Sequence, residues 1–211
     1  FAQGIEEEEI LSYELGFKGH LWEQRMSLNA ALFSMSIDGA QVSVQTGATP
    51  GERDFLAVDG NSIKGLEVDA TILLLEGLTF IAGYSYLDTQ LGVNQLESPA
   101  GTFEFIDEYS FSPKNSYNIG LNYKVDLDNG TLAASTSYSY QGDFAASTAV
   151  LSSVDHDAYG LLGASLAWSE IKLGQSSGDY KVLLWAKNLT DEKYTVGGGN
   201  SWAPFGAQKL L

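Results

Sequence analysis

Residues 12–38 read SYELGFKGHLWEQRMSLNAALFSMSID. Tyr13, Leu15 and Phe17 alternate with Glu14, Gly16 and Lys18, and beyond the polar corner Glu23-Gln24-Arg25 the residues Met26, Leu28, Ala30 and Leu32 alternate with Ser27, Asn29, Ala31 and Phe33. A period of two marks a β-strand with one apolar and one polar face. The fold then turns on what the apolar face touches, the core of a soluble sandwich or lipid.

The alternation recurs along the chain. Leu66, Val68, Ala70 and Ile72 run to the corner Glu76-Gly77, followed by Leu78, Phe80, Ala82, Tyr84 and Tyr86. Tyr117 to Val125 and Leu132 to Tyr140 repeat it on either side of Asn129-Gly130, a pair suited to positive φ in a tight hairpin. Leu162 to Trp168 and Tyr180 to Ala186 complete about eight strands, most of them reaching the ~9–11 residues that cross a bilayer at a tilt. Short connections (23–25, 75–77, 126–130, 174–178) alternate with long ones (46–61, 92–113, 142–157, 195–211). An up-and-down membrane barrel segregates its loops in this way. The polar face carries Gly, Ser, Asn and Thr, too polar for a core and too small-sided for an ordinary charged surface. A wetted lumen fits it, and the apolar face then meets lipid.

Composition agrees. The chain has 211 residues, no Cys, 23 Gly, 11 Tyr, 10 Phe and 4 Trp, which excludes disulfides and thiolate metal sites. A net charge of −16 argues against a nucleic-acid or anionic-lipid binder, because phosphate contacts need Lys and Arg. No apolar run approaches the ~20 residues of a membrane helix. No linker divides the chain, so residues 1–211 are read as one domain. The opening FAQG, without Met or an apolar leader, reads as an internal cut.

Four stretches resemble, in order, the late barrel of TonB-dependent outer-membrane receptors: SYELGFKGHLWEQRMSLNAALFSMSIDG, IKGLEVDATILLLEGLTFIAGYSYLDT, SPKNSYNIGLNY and LLWAKNLTDEKY. The family's barrels have about 22 strands around a plugged lumen. The resemblance therefore implies a partial barrel domain: a C-terminal segment lacking the plug and the closing strand, its eight strands forming an open curved sheet. It implies a Gram-negative outer-membrane location. It also implies uptake of a scarce ligand (ferric chelate, vitamin or saccharide), with energy from a TonB complex acting through the plug. The barrel would do no covalent chemistry and carry no cofactor. A passive porin or a small eight-stranded barrel is the alternative, followed by a soluble β-sandwich binding module or an outer-membrane hydrolase. A closed eight-stranded barrel fills its interior with side chains, and Gly16, Gly65, Gly83, Ser85 and Gly120 would leave it underfilled.

Lipid-facing positions are expected at Tyr13, Leu15, Phe17, Leu66, Val68, Tyr84, Tyr86, Leu121, Tyr123, Leu166 and Val182. Ligand contacts are expected on the long loops, at Phe103, Glu104, Asp107 and Tyr109, with Trp202 and Phe205 on the last loop. There, aromatic rings can bury ligand surface while acids set charge preference. The same 92–113 residues could instead form a loop folding over its neighbours.

No catalytic or metal set emerges. Gly174-Gln175-Ser176-Ser177-Gly178 matches G-x-S-x-G but joins two amphipathic strands rather than a strand and a helix, which reads as a polar turn. Asp155-His156-Asp157 reads as a solvated loop, His20 as an interfacial residue and Glu6 to Glu9 as solvated rim charge. Asp126 to Gly130 fails as a calcium loop, since its Gly comes one position early and Ser137 stands where Glu is needed. Asn188-Leu189-Thr190 is an incidental sequon.

Overall fold

The computed structural model describes residues 7–45, 53–93, 95–98, 101–147, 155–172 and 179–195. Eight long strands form one antiparallel sheet: β1 (Glu9–Leu21), β2 (Met26–Asp38), β5 (Asn61–Leu75), β6 (Leu78–Gln90), β9 (Asn115–Leu127), β10 (Gly130–Gln141), β13 (Tyr159–Ile171) and β14 (Tyr180–Ala186). Their spatial order is their chain order, with β1 and β14 at opposite ends, so the sheet is open and not a closed eight-stranded barrel. Three two-stranded hairpins stand in the long connections: β3 (Ala40–Gln45) with β4 (Arg53–Val58), β7 (Gln95–Ser98) with β8 (Gly101–Glu104), and β11 (Phe144–Ala145) with β12 (Asp155–His156). The sequence reading left these hairpins as loop, because runs of two to six residues carry too little alternation to register.

The register settles the faces. Leu15 stands opposite Leu32, Leu32 opposite Leu66, and Leu66 opposite Tyr86. One rung along, Phe17 is followed across the sheet by Ala30, Val68, Tyr84, Tyr117 and Tyr140. Phe80, Leu121, Thr136 and Ala164 continue the set, as do Tyr123, Ala134, Leu166 and Leu184, then Trp168 and Val182. All eleven positions expected to meet lipid thus share one face. A one-residue slip anywhere would have divided them.

That apolar face has nothing packed on it among the described residues. Leu15 is 73% exposed, Tyr13 68% and Val182 53%. Burying a Leu or Val side chain is worth about 1.5–3 kcal/mol, so a face of this size left in water would be prohibitive. Among the described residues no second sheet covers it, in contrast to a face-to-face sandwich. The buried apolar residues, among them Ile37, Val58, Leu91, Phe105 and Phe144, lie instead at the long-loop end, apart from Ile171 near the opposite rim. Nine-residue stretches with apolar or aromatic residues at nearly every second position (78–86, 117–125 and 132–140) cross β6, β9 and β10, within the ~9–11 that span a bilayer at a tilt. Thr136, the one polar side chain on that face of these runs, donates its hydroxyl to Gly163 O at 3.1 Å and leaves no donor unmet in an apolar setting. Strand β14 is apolar on both faces. It exposes Val182 and Leu184 on one face and Leu183 and Trp185 on the other, with Lys187 Nζ 5.5 Å from the Trp185 ring.

The short turns are stiffly built. Trp22, Glu23 and Gln24 all adopt left-handed backbone (φ 52°, 55° and 68°) without a glycine. Arg25 braces them: its guanidinium donates to Leu73 O at 3.1 Å and Leu74 O at 2.6 Å, where a bulge in β5 frees those carbonyls. The β9–β10 turn is Asp128-Asn129 rather than Asn129-Gly130; only Gly130 has positive φ there (118°). Asn129 O accepts the Trp168 indole N–H at 3.1 Å and its side-chain oxygen accepts Lys172 N at 3.1 Å, tying this turn to the next strand pair.

Candidate functional site

Two regions gather polar and aromatic side chains: the polar face of the sheet and the long-loop end above it.

On the polar face, cross-strand pairing builds a row from Lys18 through Asn29, Asp69, Gly83 and Asn118 to Ser139. The next row toward the loops runs Gly16, Ala31, Glu67, Ser85 and Ser116. Two adjoining recesses open between these rows. One, of about 390 Å³, is bounded by Glu14, Lys18, Asn29, Glu67 and Asp69. The other, of about 450 Å³, adds Gly83, Ser85, Ser116 and Asn118. Gly83 leaves the floor of this recess open. A Cβ at that position would lie 2.5 Å from Asn118 Oδ1 and 3.0 Å from Asp69 Oδ1, so two oxygen acceptors converge over bare backbone. Asn29 Oδ1, between Lys18 and Asp69, is buried and has no hydrogen-bond partner. Three carboxylates against one ammonium give the wall a negative bias that favours cationic or hydrogen-bond-donating groups. Sequence reasoning named none of these as site residues. The available signal was charge at mid-strand positions of the polar face.

At the long-loop end, Asn61 is almost wholly buried, at 1% exposure. Its amide donates to Ile37 O (3.1 Å) and Val58 O (2.6 Å) and its oxygen accepts Gly92 N (3.1 Å). It therefore pins the end of β2, the end of β4 and the start of the 91–114 connection to one point. Above it Leu91 and Phe105 pack together with Val42, Val93 and Tyr109. Tyr109 N donates to Thr89 Oγ1 at 3.2 Å, and the Ser112 hydroxyl donates to Tyr109 O. Burial, then the negative charge of Glu8, holds the Tyr109 hydroxyl above a tyrosine's ordinary pKa. Tyr109 is thus half-buried in the loop's own core, whereas Glu104 and Asp107 are exposed. Phe103 pairs with Leu96 in the β7–β8 hairpin, and its side chain lies outside the described residues. Trp202 and Phe205 lie outside them too, as does the Gly174–Gly178 turn.

A second junction joins the remaining loops. Phe111 N donates to Ala145 O at 2.8 Å, and its ring lies 5.7 Å from that of Phe144. Phe144 stacks on His156 at 4.7 Å, and His156 Nδ1 meets Thr195 Oγ1 at 2.6 Å. His156 is only 3% exposed, which corrects the reading of Asp155-His156-Asp157 as solvated throughout; the two acids are exposed, the imidazole is not. After β14, Asn188 folds the chain back with two 2.9 Å bonds to Glu192, and Tyr194 stacks on Tyr159 at 4.5 Å. Among the described residues no group of three or more His, Asp or Glu side chains could hold a metal.

Comparison with known proteins follows this geometry. A family model described as "TonB dependent receptor-like, beta-barrel" matches residues 2–189. The ferric-pyoverdine 358 receptor of Pseudomonas putida is 31% identical over 104 residues, covering 46% of this chain and 13% of that protein. The ferric yersiniabactin uptake receptor FyuA from Yersinia pestis shares the fold with a TM-score of 0.66 at 18% identity, over 89% of this chain and 26% of its own. The pyoverdine outer membrane receptor FpvA from Pseudomonas aeruginosa PAO1 does so with a TM-score of 0.64 at 17% identity, over 90% and 26%. The chain spans 26% of these solved receptors and 13% of the matched pyoverdine receptor.

Proposed function

The chain belongs to the TonB-dependent receptor-like β-barrel family, and on that footing we propose that it forms part of an outer-membrane receptor that captures a ferric chelate and imports it with TonB-coupled energy. The observation that carries this is the one-faced apolar band, nine residues deep on adjacent strands, opposite a face of small polar and acidic side chains. The band meets lipid through the eleven positions from Tyr13 to Val182. The polar face lines a wide wetted lumen. The long loops lie outside the cell, and the short turns face the periplasm. The protein is a transporter in a Gram-negative outer membrane rather than an enzyme. The plug and the TonB contact belong to the rest of the receptor.

Ligand capture falls to the loop end. Phe103, Glu104 and Asp107, with Trp202 and Phe205, supply rings and charge, and Tyr109 anchors the loop that presents them. The ferric-chelate class follows from what the relatives are named for. The test uses the full-length receptor and ferric pyoverdine. Saturable binding is expected, with uptake in energised cells and none in a host lacking TonB. Deleting residues 101–110 should weaken binding while the barrel stays inserted and heat-modifiable. Uptake that persists without TonB would support a passive porin instead, and unchanged affinity after the deletion would make that loop a spacer.

A further inference from the structure

We infer that His156 is a positioning residue for ligand capture: through Phe144 and Phe111 it ties the stem of segment 101–110 to the stretch 188–195. This rests on the reading above, that residues 101–110 present ligand contacts.

The segments that meet here lie far apart in sequence. His156 stands opposite Phe144 in the β11–β12 pair, and their rings stack at 4.7 Å and 13°. Phe144 also meets the Phe111 ring at 5.7 Å and 40°, and Phe111 N donates to Ala145 O at 2.8 Å. Phe144, Ala145 and His156 are all buried. His156 Nδ1 reaches Thr195 Oγ1 at 2.6 Å. Thr195 is placed in turn by its neighbour: Tyr194 stacks on Tyr159 at 4.5 Å, and the Tyr159 hydroxyl donates to Gln141 Oε1 at 3.0 Å. On the Phe111 side the contacts run into the stem of the capture segment. The Ser112 hydroxyl donates to Tyr109 O, Tyr109 N donates to Thr89 Oγ1 at 3.2 Å, and Leu91 N donates to Asp107 O at 3.4 Å.

Two features separate this chain of contacts from plain packing. The first is Phe111, whose backbone is left-handed (φ 57°) although its ring is more than half exposed. A bulky side chain keeps that conformation only where its surroundings hold it. The holders are the bond to Ala145 O and the contact with Phe144. Released, the backbone relaxes to negative φ, and the stem leaves the cluster in another direction. The second is the imidazole. His156 Nε2 is buried and has no hydrogen-bond partner. A buried N–H without an acceptor is rarer than an unmet acceptor, which puts the proton on Nδ1, donating to Thr195 Oγ1. A phenyl ring would stack on Phe144 without leaving a polar atom unmet. What the imidazole adds is the bond to Thr195. His156 therefore fixes Phe144 relative to residue 195, and Phe144 holds Phe111 left-handed. Coupling between separate segments needs an element with two arrangements that both ends bias, and the Phe111 backbone is that element.

The test uses the full-length receptor in bilayers, with amide hydrogen exchange read by peptide and ferric pyoverdine as the probe. Thr195→Val removes the bond and leaves the stack. Exchange at residues 105–109 should accelerate by about threefold to tenfold. His156→Phe, which keeps a stacked ring, should match it. Thr195→Ser keeps the hydroxyl and should stay within about twofold of wild type. Coupling is reciprocal, so saturating ferric pyoverdine should slow exchange at residues 155–157 of the wild type. Phe111→Gly accepts the left-handed backbone but has no ring; it should keep saturable binding and lose that slowing. Acceleration confined to 155–157 in Thr195→Val, with 105–109 within about twofold of wild type, makes His156 a local packing residue and overturns the proposal. Slowing that persists in Phe111→Gly overturns the route through Phe111. A wild type without saturable binding of ferric pyoverdine sinks the reading of function instead, and the Thr195→Val and Thr195→Ser pair then decides the loop coupling by itself.

Discussion

Asp38 and Asp59 each accept the backbone N–H of the glycine that follows the other, Gly60 N to Asp38 Oδ1 at 3.0 Å and Gly39 N to Asp59 Oδ1 at 2.8 Å. Both glycines are left-handed (φ 77° and 72°), so the chain leaves β2 and enters β5 through two matched corners. Asn61 lies next to this ring and bonds to three segments. Asn61→Ala should leave two carbonyls and one amide unmet in a buried setting and cost about 2–3 kcal/mol locally. Amide hydrogen exchange at residues 53–60 and 91–93 should accelerate by about thirtyfold or more, with the mid-strand amides of β6 and β9 unchanged. Asp38→Ala or Asp59→Ala, losing one exposed or half-exposed bond, should give about fivefold. Uniform loosening of the whole sheet would refute the local role.

Gly83→Val tests the recess on the polar face. The added side chain must displace Asp69 and Asn118, which are side-chain atoms able to swing, so melting should fall by only about 1–2 kcal/mol equivalent. The recess should close. Transport of ferric chelate should slow while binding at the loops keeps its affinity. Equal transport rates would separate this wall from the transit path.

Glu23→Gly addresses the turn between β1 and β2. A non-glycine residue in left-handed backbone costs about 1–2 kcal/mol, and three stand in succession there. The glycine variant should therefore raise thermal stability, visible as a higher temperature for loss of heat-modifiable mobility. Arg25→Ala, which frees Leu73 O and Leu74 O, should lower it.

Tyr109 gives a pH signature. Its folded pKa is raised, first by burial and then by Glu8. The folded state therefore keeps the proton longer than the unfolded chain does. The stabilising contribution is whole below the ordinary tyrosine value of about 10 and is lost as pH climbs through the raised folded value. Absorbance at 295 nm should show a late-ionising tyrosine fraction that shrinks by one residue in Tyr109→Phe. Loosening of the 91–114 loop should track that titration, and a loop insensitive to it would place the ring outside the packed cluster.

The sheet was legible because one apolar and one polar face write a period of two into Leu78 to Tyr86 or Tyr117 to Val125. The loop architecture was not, because its determinants act at a distance. Nothing around Asn61 announces partners at Ile37 and Gly92. The repeated Asp-Gly at 38–39 and 59–60 was the one local hint. His156 was read as solvated from its two acidic neighbours, yet burial of the imidazole is fixed by Phe144 and Thr195, 12 and 39 residues away. Tyr109 is a loop aromatic that can serve a ligand, its own core or both, and composition does not distinguish these roles.

Strictly sequential strand order also sets how such a sheet assembles. β5 and β6 are joined by two residues, as are β9 and β10, whereas β2 and β5 are separated by 22. Closing a short loop takes tens of nanoseconds and a tight hairpin forms in microseconds, while closure entropy grows with loop length. The elementary units are therefore the hairpins β1–β2, β5–β6, β9–β10 and β13–β14. Each docks on its predecessor once the intervening long loop has been spanned. Within this sheet no strand has to wait for a partner distant in sequence, so a growing chain can add hairpins in the order they emerge, each new hairpin advancing one edge while β1 stays at the other.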